Sequence, residues 1–149
     1  MKTWEALNVE DTLWLINSNG ELLSTKIYQK EIGSYAGNDA YGYTFNLNEE
    51  SGYNAYKLII TIGYNHEDVL HKQLSLVDSR KVMEGYKVNT DLYFISSDKI
   101  KLIEAYIAYE QKNIVQLNED IDHMHKELMR KYKQVDIYKE LINNKNDSI

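Results

Sequence analysis

The stretch IVQLNEDIDHMHKEL, residues 114–128, carries its apolar side chains at steps of three and four residues. Because an α-helix turns once every ~3.6 residues, these side chains fall on one helical face. The spacing continues in both directions. One heptad position holds Ile100, Ile107, Ile114, Ile121, Leu128, Val135 and Ile142, and the other holds Ile103, Glu110, Leu117, Met124, Lys131 and Tyr138. A stripe of this length predicts a coiled coil.

The C-terminal third is predicted to be one long helix. No glycine or proline follows Gly85, so nothing in the sequence interrupts a helix that begins near Ser96. Ser96 is the expected N-cap, with Asp98 in the first turn and Ile95 and Ile100 forming a hydrophobic staple. We therefore divide the chain into a β-rich, tyrosine-rich domain, 1–95, and a coiled-coil oligomerisation region, 96–149.

A second copy of the chain is the expected cover for the stripe. Branched residues at one heptad position and Leu or Met at the other favour two-stranded assembly. Antiparallel pairing centred near Asp120 brings Glu110 close to Lys131, whereas parallel pairing sets like charges together. A helical hairpin within the chain and an unrelated partner stay open. The oligomerisation residues are Ile107, Ile114, Leu117, Ile121, Met124, Leu128 and Val135, and Leu102, Ala105 and Ala108 are expected to dock on the β domain.

The first 95 residues read as short strands. Alternation predicts a strand over 40–47, with Tyr41, Tyr43, Phe45 and Leu47 on one side. The full set of expected strands is 11–16, 21–30, 40–47, 53–64 and 86–95, with a turn at 17–20, a loop at 33–39, and 65–85 open between helix and strand. The predicted fold class is α+β: a small antiparallel β-barrel or bent sheet followed by a long C-terminal helix.

The segment WEALNVEDTLWLINSNGELLSTKI, residues 4–27, resembles the opening of SH3-like and KOW-like small β-barrels. Small phage proteins that end in a charged helix have a similar opening. Those barrels usually carry glycine before the aspartate of the first turn, and Glu10 stands there in this chain. The resemblance implies a small barrel and assigns no functional residue.

Composition and charge narrow the classes of function. The net charge is −6, and the first 96 residues hold 8 basic and 13 acidic residues, which makes duplex DNA an unlikely partner. The chain has no cysteine, so thiolate metal sites and cysteine nucleophiles are excluded. Its longest uncharged apolar run, 58–62, is too short for a bilayer. We expect a cytoplasmic protein without a membrane partner.

No motif for catalysis or for a cofactor is present, and we expect a protein that is not an enzyme. His123 and His125 point ~200° apart on a helix, so they cannot share a metal ion. Glu67 and His71, with His66, could share a metal if that stretch is helical; surface side chains are the simpler interpretation. The basic run around Lys126, Arg130 and Lys131 is interpreted as a solvated helix face.

Tyrosines are the stronger functional signal, because 13 of them occur and many crowd the β domain. Tyrosine gives large contact area at small entropic cost. The candidate binding residues are Tyr35, Tyr41, Tyr43, Tyr53 and Tyr56; the other interpretation is that alternate tyrosines cover a sheet face. The expected function is a phage-type interaction module that inhibits or recruits a host protein. The alternatives are an anti-defence protein that sequesters a small nucleotide between subunits, and a nucleic-acid accessory protein.

Overall fold

The computed structural model describes residues 3–47, 55–63, 67–77 and 90–147. Six antiparallel strands in sequential order close into a barrel, in which β1 pairs with both β2 and β6. This confirms the predicted class, a small antiparallel β-barrel followed by one long helix. The elements are β1 (Thr12–Ile16), β2 (Leu22–Tyr35), β3 (Asn38–Phe45), β4 (Ala55–Thr61), β5 (Val69–Val77), β6 (Thr90–Ser96) and α1 (Lys99–Asp147).

The turn between β1 and β2 follows from its sequence. The Asn17 side-chain oxygen accepts hydrogen bonds from the backbone N–H groups of Asn19 and Glu21. Gly20 takes the left-handed conformation, with φ of 80°, as the last residue of a three-residue loop often does. The predicted turn at 17–20 is therefore confirmed.

The predicted loop at 33–39 is wrong. β2 continues to Tyr35 and β3 begins at Asn38, so only Ala36 and Gly37 connect them. Both central residues have positive φ, 50° and 82°, which is the geometry of a two-residue hairpin turn. The glycines of this stretch indicated a loop, but pairing with β3 holds Gly33 in a strand.

The stretch left open between helix and strand contains β5, Val69–Val77, which pairs with β6 from Val69 to Ser75. The start of that stretch, residues 65–66, lies outside the described residues. Strand pairing rather than helical spacing explains the apolar residues here, since Leu70 and Leu74 both point into the barrel.

Alternate side chains of all six strands fill the barrel interior, as period-two strands require. A short 3₁₀ turn, Trp4–Ala6, packs Trp4 into the same core, and its indole N–H donates to the carbonyl of Glu67. The buried core consists of Trp4, Leu7, Leu13, Leu15, Ile27, Tyr43, Phe45, Leu58, Ile60, Leu70, Leu74, Tyr93 and Ile95.

Helix α1 begins one residue beyond a cap that differs from the predicted one. Asp98 Oδ1 accepts hydrogen bonds from the N–H groups of Ile100 and Lys101, so Asp98 caps the helix. The Ser96 hydroxyl instead donates to the carbonyl of Asp68 and accepts from the Asp98 N–H. The predicted staple is wrong too, because Ile95 lies in the barrel core and Ile100 is exposed.

The first two turns of α1 belong to the barrel unit, Met1–Ile107, and the remainder forms a second unit, Ala108–Ile149. Leu102 is fully buried against Ile16 and Phe94, with Tyr106 beside them, as the predicted docking of Leu102 requires. Ala105 is half-buried, whereas Ala108 is exposed. Because α1 runs without a break from Lys99 to Asp147, the helical hairpin within one chain is excluded.

Candidate functional site

The five tyrosines proposed from the sequence do not form one surface. The structure places Tyr43 in the core, Tyr41 and Tyr56 half-buried against that core, and Tyr35 on the exposed tip of the β2–β3 hairpin. Tyr53 lies outside the described residues. The interpretation that alternate tyrosines cover a sheet face therefore describes most of this set.

Tyr43, one of the candidate binding residues, is a core residue that has no surface to offer a partner. Its side chain is 0% exposed, and its hydroxyl donates to the backbone carbonyl of Trp4. Burial, reinforced by the neighbouring Tyr41, Glu5 and Asp11, raises the pKa of Tyr43 from its ordinary 10.0 to about 12. The neutral phenol thus ties the 3₁₀ turn to β3.

Tyr56 serves packing in a similar way. Its ring stacks on Phe45, with centroids 6.2 Å apart, and meets Tyr93 edge-on, also at 6.2 Å. Burial is the main reason that the pKa of Tyr93 is raised to about 12, and a hydrogen bond with Tyr56 adds to the shift. Tyr41 is covered differently: the Lys30 ammonium lies 5.1 Å from its ring centre, within cation–π range.

The exposed apolar groups of the barrel lie mainly on β2, which ends at Tyr35, one of the candidate binding residues. Ile32 is 72% exposed and Tyr35 68% exposed, and Tyr28 and Ile59 are also exposed. Ile32 sits opposite Tyr41 in the β2–β3 register. Ile32 was missed because EIGSY, residues 31–35, looked like the start of a loop.

Charged side chains border this hairpin. Lys57 Nζ lies 2.6 Å from Glu31 Oε2, bridging β4 and β2 across Gly42 of β3. A Cβ at Gly42 would approach Lys57 Cε to 2.9 Å, so glycine leaves room for this ion pair. On the inner side of the hairpin, Lys30 donates to the Glu5 carbonyl and to Asn8 Oδ1.

Lys72 is a half-buried lysine on the inward-facing side of β5. It pairs in register with the buried Tyr93, between Leu70 and Leu74, so it occupies an inward position of β5. Its ammonium reaches the Ile59 carbonyl at 2.8 Å, where β4 has run past its pairing with β5. Burial lowers the pKa of Lys72. This lysine satisfies a backbone group at an opening in the barrel wall.

The apolar stripe of α1 is exposed in the single chain. The exposed fractions of its predicted oligomerisation residues range from 49% to 67%. Val115 and Met129 lie beside the stripe and are exposed as well. The basic run is partly neutralised by its own helix, because Lys126 pairs with Asp122 and Arg130 with Glu127.

The histidines of the described residues do not build a metal site. His71 stacks on Phe94 with centroids 3.8 Å apart, and Glu67 lies outside any helix. His66 falls outside the described residues. Across 3–47, 55–63, 67–77 and 90–147, no three side chains of His, Cys, Asp or Glu come together as metal ligands.

Comparison of the chain with other proteins adds no functional assignment. No helix in the described part of the chain combines the length and the apolar character needed to cross a bilayer. The search with protein-family models finds no match, and neither curated proteins nor solved structures match the chain.

Proposed function

We propose that this chain is a non-enzymatic protein-interaction module, in which α1 pairs with α1 of a second copy and so joins two acidic barrels. One observation carries the proposal: an uninterrupted 49-residue helix whose apolar stripe, from Ile107 to Ile142, is left exposed by its own chain. The barrel unit, in contrast, encloses most of its apolar side chains in its own core.

The stripe is large enough to support a stable dimer. Nine apolar side chains occupy its two heptad positions from Ile107 to Ile142. At roughly 80 Å² for each, pairing buries on the order of 1,400 Å² in total, within the range of specific protein interfaces. At ~25 cal/mol per Å² of apolar area, leaving it in water forfeits many kcal/mol.

The charges within the stripe favour two chains running in opposite directions. Glu110 and Lys131 are the two charged residues that interrupt it. In a parallel pair each meets its own copy, whereas an antiparallel pair centred near Asp120 brings Glu110 within about a turn of Lys131. The stripe is thus complementary to itself, which favours a second copy over an unrelated helix.

The acidic barrel supports a protein partner rather than duplex DNA. The first 96 residues carry five more acidic than basic side chains, as 13 acidic minus 8 basic shows. We extend the proposal to inhibition or recruitment of a host protein by a phage-type module, on the strength of the resemblance of residues 4–27 to small barrels of such proteins.

Sedimentation of the full chain tests the pairing. Leu117→Asp and Met124→Asp together place charges in the stripe, so we expect a dimer to become a monomer. Gln116→Asp and His123→Asp together are the matched control, because they add two negative charges at exposed positions away from the stripe and should leave the dimer intact. A monomeric unmodified chain contradicts the proposal.

Because the chain has no cysteine, introduced cysteines can report whether the two helices run parallel or antiparallel. Mixed Ile107→Cys and Lys131→Cys chains should form an interchain disulfide in an antiparallel pair. Ile107→Cys chains alone should crosslink only in a parallel pair. Crosslinking of the second kind without the first would reverse the orientation.

A further inference from the structure

None of the described strands lies beside the outer edge of β2 in the part of the β2–β3 hairpin near its turn, residues 28–35. β1 pairs with β2 only as far as Lys26, and the last backbone bonds on this side join Ile27 to Glu10 and Asp11. β3 covers the other edge as far as Tyr35. Among the described residues, no strand pairs with the outer edge of residues 28–35.

The hairpin turn determines which backbone groups face outward. In a two-residue turn the closing pair, here Tyr35 and Asn38, exchanges hydrogen bonds, and the bonded pairs then alternate along the ladder. On β3, Asp39 accordingly turns its carbonyl toward β4, where it accepts from Ile62 N–H. On β2, the same alternation directs the N–H and C=O groups of Ile32 and Ser34 away from β3.

Natural proteins protect such unpaired edges with charge, proline or a bulge. In β2 this protection is limited to residues 27–30, the end of the hairpin nearer the barrel core. A register irregularity lies between Ile27 and Gln29, and Lys30 is a charge on the inner face. Beyond Lys30, the edge offers Ile32, whose 72% exposure exceeds that of any other large apolar side chain described.

We infer that this edge pairs antiparallel with the same edge of a second copy, about a two-fold axis at Ile32. The register that keeps the outward backbone groups in phase sets Ile32 against Ile32 of the second copy and Lys30 against Ser34 of the second copy. Glu31 then faces Gly33 of the second copy. No two like charges stand directly opposite each other, and Ile32, the most exposed large apolar side chain described, becomes covered.

The contact is expected to be weak by itself. An added strand of about six residues buries on the order of 600 Å² in total, below the ~1,200 Å² of most stable interfaces. Edge pairing should therefore depend on protein concentration and strengthen when chains are already held together. It is a second self-contact, independent of the proposed helix pairing.

Amide hydrogen exchange provides a test with an internal control. As protein concentration rises, exchange at Ile32 and Ser34 should slow, because their N–H groups gain acceptors on the second copy. Exchange at Glu31 and Gly33 should stay constant, since these amides already bond to β3. Concentration-independent exchange at Ile32 and Ser34 would overturn the inference.

Two variants extend the test in the full chain carrying Leu117→Asp and Met124→Asp, in which helix pairing is removed. Ile32→Pro removes the backbone N–H donor at the proposed two-fold axis. Ile32→Asp keeps that donor but places two carboxylates opposite each other across the axis. Each should weaken the remaining self-association by about tenfold or more, and Ile59→Asp, on β4, should not. Self-association equal to that of the Ile59 control in both Ile32 variants would refute edge pairing while leaving helix pairing untouched.

Discussion

The barrel and helix α1 contain the same kinds of apolar residue, but the barrel buries most of them and the helix leaves its stripe exposed. Leu13, Leu15 and Ile95 of the barrel have no exposed surface, whereas Ile114 and Ile121 of the helix are more than half exposed. A sheet can close on itself and cover its own inner face, but one straight helix cannot cover its apolar stripe. An apolar pattern therefore identifies a face that needs burial without identifying what buries it.

The first turns of α1 contain both a buried and an exposed apolar residue. Leu102 is fully buried by Ile16 and Phe94, whereas Ile100, two residues earlier, is exposed. The barrel covers only the side of the helix that it contacts. The stripe and the docking face of the helix are thus different faces.

The largest effect on barrel stability is expected when one apolar side chain is truncated in each region and the two losses are compared. Phe45→Ala removes a fully buried side chain and should cost about 3–5 kcal/mol of barrel stability. Ile121→Ala should leave barrel unfolding within about 0.5 kcal/mol of the unmodified chain and weaken the dimer instead. Urea unfolding followed by tryptophan fluorescence measures the barrel alone, because both tryptophans, Trp4 and Trp14, belong to it. Equal losses from both substitutions would show that the two regions unfold together.

Alkaline pH should act on the barrel through its buried tyrosines. Tyr43 and Tyr93 have pKa values of about 12 in the folded chain against an ordinary 10.0. The folded state therefore holds these protons more tightly, so their contribution is complete below pH 10.0 and is lost as the pH rises toward about 12. The urea midpoint of barrel unfolding should fall across that interval, with a smaller slope in Tyr43→Phe. A midpoint that stays constant in the unmodified chain would contradict the assignment.

The smallest expected effect concerns the junction of the two regions. Asp98→Ala removes the acceptor of two N–H groups at the start of α1 and should cost about 1 kcal/mol. Glu119→Ala, at an exposed position farther along the helix, serves as the control and should stay within about 0.5 kcal/mol. Thermal unfolding followed by circular dichroism compares them. If Asp98→Ala behaves like its control, the helix start is held by packing of Leu102 alone.

Much of the fold follows from local patterns. Alternation located β3 and β4, and the seven-residue spacing located α1. The loop at 33–39 was predicted wrongly because the glycines there are compatible with a turn, and only cross-strand pairing makes Gly33 part of β2. The cap was placed at Ser96 rather than Asp98 because both residues can accept from backbone N–H groups.

The role of the tyrosines in binding stays a prediction, whereas their burial could not be predicted from the sequence. Composition pointed to tyrosines, but a tyrosine has an apolar ring and a polar hydroxyl, so it suits a core as well as a surface. Tyr43 found a carbonyl partner inside the barrel, and Tyr35 stayed outside. Ile32 gave no signal in the sequence, because its exposure results from where β1 stops pairing with β2.

The sequence alone determined the spacing of apolar residues in each segment. That spacing identified the strands, the long helix and the apolar face of each element. Those properties depend on neighbours a few residues apart, which a sequence displays directly. Only the tertiary structure decided that Tyr43 and Lys72 point inward, that Asp98 caps the helix, and that no described strand lies beside the outer edge of β2 near Ile32. These outcomes depend on contacts between residues far apart in the chain, where closure of the barrel selects one partner for each backbone and side-chain group.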